Sequence, residues 1–229
     1  YYNVMDVRPG DPHWEDRDRF IMSKGHCCPA LYAVLADKGY FGKEELATLR
    51  KLGSHLQGHP DMRKTPGVDA NTGSLGQGIA IAMGMALAAK HAKKDYRVFT
   101  LVGDGECQEG LVWEAAMSAA HYKLDNFTVI MDHNRLQIDG DNDDVMSLGD
   151  IMGKFAAFGF DTYKVDGHDI DAVTAALKAP FTPGRPKFVC CETVKGKGVS
   201  FMENKASWHG STIKQADYEA AIKELKEAL

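Results

Sequence analysis

The chain has 229 residues, 44% hydrophobic and 26% charged, and a formal charge of −5. That is enough apolar material for a packed core and excludes a disordered chain, while a net negative protein without a Lys/Arg run is a poor match to nucleic acid. Any polyanion it binds needs a local device, such as a metal ion, a helix N-terminus or placed histidines.

Residues 1–20 are polar, with Pro9, Pro12 and a charged WEDRDRF stretch, and read as a loop leading into a short strand. The opening YYNVM lacks an initiator Met and reads like the tail of an apolar element, so the native N-terminus is expected upstream. Helices are expected over 29–38 and 43–52, separated by Gly39 and Gly42. Residues 54–71 form a loop with two histidines and two prolines. A helix of small residues follows over 73–90, with Ile79, Met83 and Leu87 at steps of four. Glycine weakens a helix, so this composition points to close approach of a ligand or another backbone, or to tight helix packing alone.

A strand over 97–102 stops at Gly103, a helix covers 111–122, and a second buried strand over 127–131 stops at Asp132. Then come a helix over 147–158, a strand over 162–165, a helix over 169–177, a strand over 187–191 and an amphipathic helix over about 216–229. Strands that alternate with helices and are apolar throughout mean an α/β fold, its parallel sheet flanked by helices on both faces. One domain over 1–229 is expected, without internal repeats.

Cys27, Cys28, Cys107, Cys190 and Cys191 form an odd set with no CxxC. They read as reduced thiols of a cytoplasmic protein rather than a disulfide frame or a zinc site. Neither a signal peptide nor an apolar run of spanning length is present, so no membrane partner is expected.

In open α/β sheets ligands sit outside the carboxyl ends of the strands. Two strand ends here carry unusual polar residues, Gly103-Asp104-Gly105 and Asp132-His133-Asn134. Where a strand hands over to a helix N-terminus, a diphosphate fits, but an aspartate beside it is repulsive unless a cation intervenes. Asp104 therefore reads as an oxygen ligand for Mg²⁺ or Ca²⁺ bridging to phosphate. Alone, a GDG stretch is more often just a turn. Asn134 changes that: it lies 30 residues on, room for one helix and one strand, and offers a neutral oxygen, with the Leu136 carbonyl as a third ligand. His26, His55, His59 and His209 lie in loops, where a histidine can bond phosphate or move a proton. His168 reads as shaping a turn with Asp169, and His13, His91, His121 and His133 as structural or solvent-facing. Lys195, in TVKGKG, could reach a cofactor diphosphate or a substrate phosphate as a point charge, or be solvated.

The pair GDG and DHN resembles the thiamine diphosphate motif. The segments SKGHCCPALYAVL, GHPDMRKTPGVDANTGSLGQGIAIAMGMA, GDGECQEGLVWEAA, DHNRLQIDG and VDGHD resemble the N-terminal region of transketolase, in the family's order, over about residues 14 to 210. The resemblance implies the thiamine diphosphate-binding fold and a set of roles. His26 would contact the cofactor diphosphate, His59 would face the substrate, and His209 would bridge the two. Gly73, Ser74 and Leu75 would line the cofactor, with Leu75 against the thiazolium ring. Gly103, Gly105 and Glu106 would complete the cofactor site, Gly105 through its N–H. Asp104, Asn134 and the Leu136 carbonyl would hold the metal, and Glu109 would lie between subunits.

The family activates its cofactor with a glutamate on a second, pyrimidine-binding domain, and carries an early histidine-bearing segment that would fall upstream of residue 1. TVKGKG also departs from the apolar stretch usual in single-chain members. These departures imply the two-subunit type: a cytoplasmic heterotetramer of the pentose phosphate pathway. A C-terminal subunit would carry the pyrimidine-binding domain, and sugar phosphates would be the substrates. The alternatives are a component of a deoxyxylulose phosphate synthase-like or 2-oxo acid dehydrogenase-like enzyme, or a non-catalytic relic that binds cofactor.

Overall fold

The computed structural model describes residues 1–228. The chain runs from β1 (Arg19–Met22) through α1 (Cys28–Lys38) to α2 (Gln77–His91) and β2 (Val98–Gly103), then α3 (Gly110–His121) and β3 (Phe127–His133). A hairpin of β4 (Leu136–Gln137) and β5 (Gly140–Asp141) and the short α4 (Asn142–Met146) precede α5 (Ile151–Phe158). It continues with β6 (Asp161–Asp166), α6 (Ile170–Lys178), β7 (Lys187–Glu192) and α7 (Gln215–Glu227).

Five strands make one all-parallel sheet in the order β1-β2-β3-β7-β6. Alternation along each strand distributes its apolar residues to two cores. Ile21, Val98, Val102, Phe127, Val129, Met131, Phe188 and Cys190 pack with residues of α2, α3 and α5. On the opposite face Phe20, Met22 and Leu101 meet α1, and Ile130, Val189 and Cys191 meet α6. Burial on both faces is why the strands read as continuous apolar runs. Among the described residues no helix is long and apolar enough to cross a membrane.

Several boundaries differ from expectation. The helix expected over 43–52 is a 3-10 turn, Lys43–Thr48, with no buried residue to hold further turns; Leu49 is extended and Arg50 takes a φ of 61°. The helix expected from residue 73 starts at Gln77, because Gly76 adopts a left-handed φ of 79°. The helix expected from 147 starts at Ile151, where the Asp150 carboxylate accepts the Gly153 N–H at 2.8 Å. The last helix is described to Glu227, and residue 229 lies outside the described residues. Close backbone approach accounts for one glycine of α2: a Cβ on Gly78 would lie 2.6 Å from Ser23 Cα.

Candidate active site

The carboxyl ends of β1, β2, β3 and β7 converge on one cleft. Gly103 pairs with Asp132 across β2 and β3, and the Asp104 N–H donates to the Asp132 carbonyl at 3.2 Å. Parallel register thus brings the two polar strand ends side by side. Asp104 is 3% exposed. Its carboxylate accepts the Gly105 N–H at 2.7 Å and the Arg135 N–H. Asn134 is oriented at both ends: Nδ2 donates to Asp132 Oδ2 at 3.1 Å, and Oδ1 accepts the Leu136 N–H at 3.0 Å. Asp132 also takes the Lys24 ammonium at 2.5 Å and the Thr193 hydroxyl. Burial opposes a charged Lys24, but Asp132 outweighs it and holds the ammonium above its ordinary pKa.

Glu106, 3% exposed, ties three segments together. Oε1 accepts the Ser23 hydroxyl at 2.5 Å and the Gly76 N–H at 2.9 Å, and Oε2 accepts the Gly103 N–H at 3.0 Å. Its oxygens thus serve the cradle itself. Gly25 lets the SKGH loop lie on the TGS loop, since a Cβ there would sit 2.8 Å from the Gly73 nitrogen.

Basic groups form the facing wall. The His26 and His209 ring centroids are 5.3 Å apart, and Lys195 Nζ lies 3.1 Å from His209 Nδ1. Burial, then Lys24 and His209, push the His26 imidazolium down to about 4. Burial and Lys195 lower His209, and burial and Lys24 lower Lys195. The wall therefore presses neutral forms on its own members, and a bound anion would relieve that pressure.

His26, Leu75, Gly103, Asp104, Gly105, Glu106, Glu109, Asn134, Leu136, Lys195 and His209 all line a cleft of about 1020 Å³. His59, Gly73 and Ser74 do not line it. The His59 ring, exposed, packs against Gly73, where a Cβ would lie 3.0 Å from its Cγ. His55 points elsewhere, bonded to Glu45 at 2.9 Å. The sequence reading missed Lys24 and Thr193, and noted Asp132 only as part of a polar strand end without a role. It gave His168 a turn only, yet His168 Nε2 accepts the Val194 N–H at 2.8 Å and braces the Lys195 loop. A lysine two residues past the end of a strand was the available signal for Lys24.

The residues present fit a divalent metal and a diphosphate. Asp104 is a buried carboxylate with no ion pair among the described residues, Lys24 being held by Asp132. Asp104 and the Asn134 carbonyl are hard oxygen donors of the kind Mg²⁺ and Ca²⁺ take. Beside Gly105, Gln137 Oε1 and both amide heteroatoms of Asn142 are buried without a protein partner, as polar atoms at a ligand or water site are.

Comparison with known proteins agrees on the diphosphate. A family described as "Transketolase, thiamine diphosphate binding domain" matches residues 1–229. One of the named subunits of apulose-4-phosphate transketolase, from Phocaeicola vulgatus, is 43% identical, over 100% of this chain and 82% of that protein. The 6-deoxy-6-sulfo-D-fructose transketolase subunit SqwG of a Clostridium species is 43% identical, over 99% and 82%. Human transketolase is 41% identical over 98% of this chain but only 36% of its own length. Among solved structures, transketolase from Campylobacter jejuni superposes with a TM-score of 0.92 at 33% identity, over 98% of this chain and 36% of that one. The chain thus spans about a third of the solved transketolase it superposes on.

Proposed function

The chain belongs to the transketolase family through its thiamine diphosphate-binding domain, and from that premise we propose that it is the N-terminal subunit of a two-subunit transketolase. It forms one diphosphate-binding domain of a cytoplasmic enzyme. Its partner is a C-terminal subunit carrying the pyrimidine-binding domain, two copies of each making a heterotetramer. The enzyme moves a two-carbon ketol unit between sugar phosphates, as in the pentose phosphate pathway. Relatives of similar length that are themselves named as transketolase subunits support the partnership. So do apolar side chains left exposed on α2 and α3, Ile81 at 39% and Met117 at 57%.

One observation carries the reading. An unpaired buried carboxylate, Asp104, sits beside the fixed amide of Asn134 and faces Lys195, His26 and His209. A buried carboxylate facing basic side chains suits a metal-bridged polyanion. Asp104, Asn134 and the Leu136 carbonyl would hold Mg²⁺. His26, Lys195 and His209 would meet the diphosphate and the hydroxyls of the substrate, with His26 placed to move protons there. Leu75, half-buried in the cleft, would exclude water from one side of the cofactor. The carbon nucleophile of the reaction belongs to bound thiamine diphosphate, and the protein supplies its poise. His59 at the rim would reach the substrate rather than the cofactor, and exposed Glu109 would meet the partner.

The test is ketol transfer by the purified chain, with and without the partner subunit, in the presence of Mg²⁺ and thiamine diphosphate. Xylulose 5-phosphate, apulose 4-phosphate and 6-deoxy-6-sulfo-D-fructose would serve as donors. Turnover requiring both chains is expected. Full turnover by this chain alone, or none with any donor in the assembled enzyme, would overturn the proposal.

A further inference from the structure

We propose that Lys195 is a positioning residue: its ammonium fixes His209 as the neutral tautomer whose proton sits on Nε2, so the ring meets its ligand only as a donor. The inference rests on the cofactor reading of this cleft for its functional meaning, but its structural content does not.

An ammonium has three donors and no lone pair. At 3.1 Å from Lys195 Nζ, His209 Nδ1 must therefore be the acceptor. A neutral imidazole that accepts at one nitrogen carries its proton on the other. Protonating Nδ1 would set an N–H against the ammonium, with the His26 ring 5.3 Å away and Lys24 adding further positive charge. Burial of His209 disfavours the imidazolium for the same reason. The lysine is itself held in place. It follows Val194, whose N–H is anchored on His168, and its carbonyl accepts the Asn204 N–H at 3.0 Å.

The consequence bears on which histidine moves protons. A histidine locked as an Nε2 donor is suited to holding an oxyanion or a hydroxyl, not to taking up a proton from it. Of the pair, His26 keeps both nitrogens free of protein hydrogen bonds among the described residues. Proton uptake at this wall therefore falls to His26, once a bound anion relieves the burial and the Lys24 charge that hold it neutral, and His209 serves as a fixed donor.

The experiment is histidine-selective ¹⁵N labelling of this chain in the assembled enzyme, read by magic-angle-spinning spectra at neutral pH. Signals are assigned by loss in His209→Gln. For His209 an unprotonated Nδ1 and a protonated Nε2 are expected. Lys195→Arg should preserve that pattern, and Lys195→Met should replace it with a mixture of tautomers. A protonated Nδ1 in the parent would mean that Lys195 is a neutral amine accepting from the ring, and would overturn the proposal, as would an unchanged spectrum in Lys195→Met. Adding thiamine diphosphate with Mg²⁺ separates the two readings. A shift of the His209 Nε2 signal supports the cofactor assignment, whereas the tautomer result stands or falls without it.

Discussion

Asp132 holds Asn134 by its amide nitrogen, at 3.1 Å, and so turns the amide oxygen toward the Leu136 N–H, which it accepts at 3.0 Å, beside the position proposed for the metal. The same carboxylate carries the Lys24 ammonium at 2.5 Å, with side-chain exposures of 9% for Lys24 and 26% for Asp132. Asp132→Ala removes both supports. Metal-dependent cofactor affinity should fall roughly 10–100-fold, as when outer partners of metal ligands are lost. Stranding the ammonium should cost about 3 kcal/mol or more. Calorimetric titration of thiamine diphosphate at several Mg²⁺ concentrations, with urea unfolding, reads both. Unaltered Mg²⁺ dependence would show that Asn134 needs no such support.

Asp104→Ala should have the larger effect on cofactor and Asn134→Ala the smaller, because the first removes a charged ligand and the second a neutral one. For Asp104→Ala a loss beyond the roughly 100-fold of an outer-shell change is expected. Tryptophan quenching by thiamine diphosphate, with Mg²⁺ and with chelator, measures it. Parent-like binding by Asp104→Ala would remove Asp104 from the metal site.

Two glycines of α2 should respond oppositely to alanine. Gly84 has open space around it, so Gly84→Ala should stabilise the isolated chain by up to about 1 kcal/mol through helix propensity. Gly78→Ala gains the same propensity but sets a methyl 2.6 Å from Ser23 Cα. Overpacking of about 1–3 kcal/mol should win, and cofactor binding should weaken because Ser23 is a partner of Glu106. Thermal unfolding of the two variants decides it, and equal stabilisation would refute the close-approach account.

At the far end of the sheet, fully buried Lys187 donates to the carbonyls of Ala179 at 2.6 Å, just past α6, and of Leu177 at 3.2 Å and Ala176 at 3.3 Å, in its last turn. Burial, then Arg97, lowers it from 10.5 to about 8. Between those values the unfolded chain binds a proton that the folded chain lacks, so this group makes stability rise with pH from about 8 to 10.5. Below pH 8 the penalty, on the order of 3 kcal/mol, is fully present. Lys187→Met should flatten that alkaline rise relative to the parent, measured as the urea midpoint at both ends of the window. Parallel curves for the two proteins would sink the assignment.

Much of this was legible because buried parallel strands announce themselves as apolar runs and their ends as the first polar residues after them. Asp104 and Asn134 were found that way, and the register between Gly103 and Asp132 brings them together. The Lys24–Asp132 pair was not, since the two residues lie 108 positions apart and nothing local marks either as the other's partner. Where α2 begins was hidden by its own composition. A glycine-rich stretch looks helical or not depending on the φ of Gly76, which is set by the distant Glu106 carboxylate. The β4–β5 hairpin carries too few residues to show a period. The tautomer of a histidine is invisible in any sequence.

The Glu106 carboxylate also has a kinetic meaning. The amide protons of Gly76 and Gly103 end on the two oxygens of one buried side chain, so neither can exchange with solvent unless the Glu106 contacts open. They should behave as one opening unit, exchanging at similar rates although 27 positions separate them in the sequence. A ligand seated on that cradle should slow both amides together and leave the remote turn at Gly184 unaffected. In deuterium exchange the cradle would then report its own loading, without any substrate being turned over.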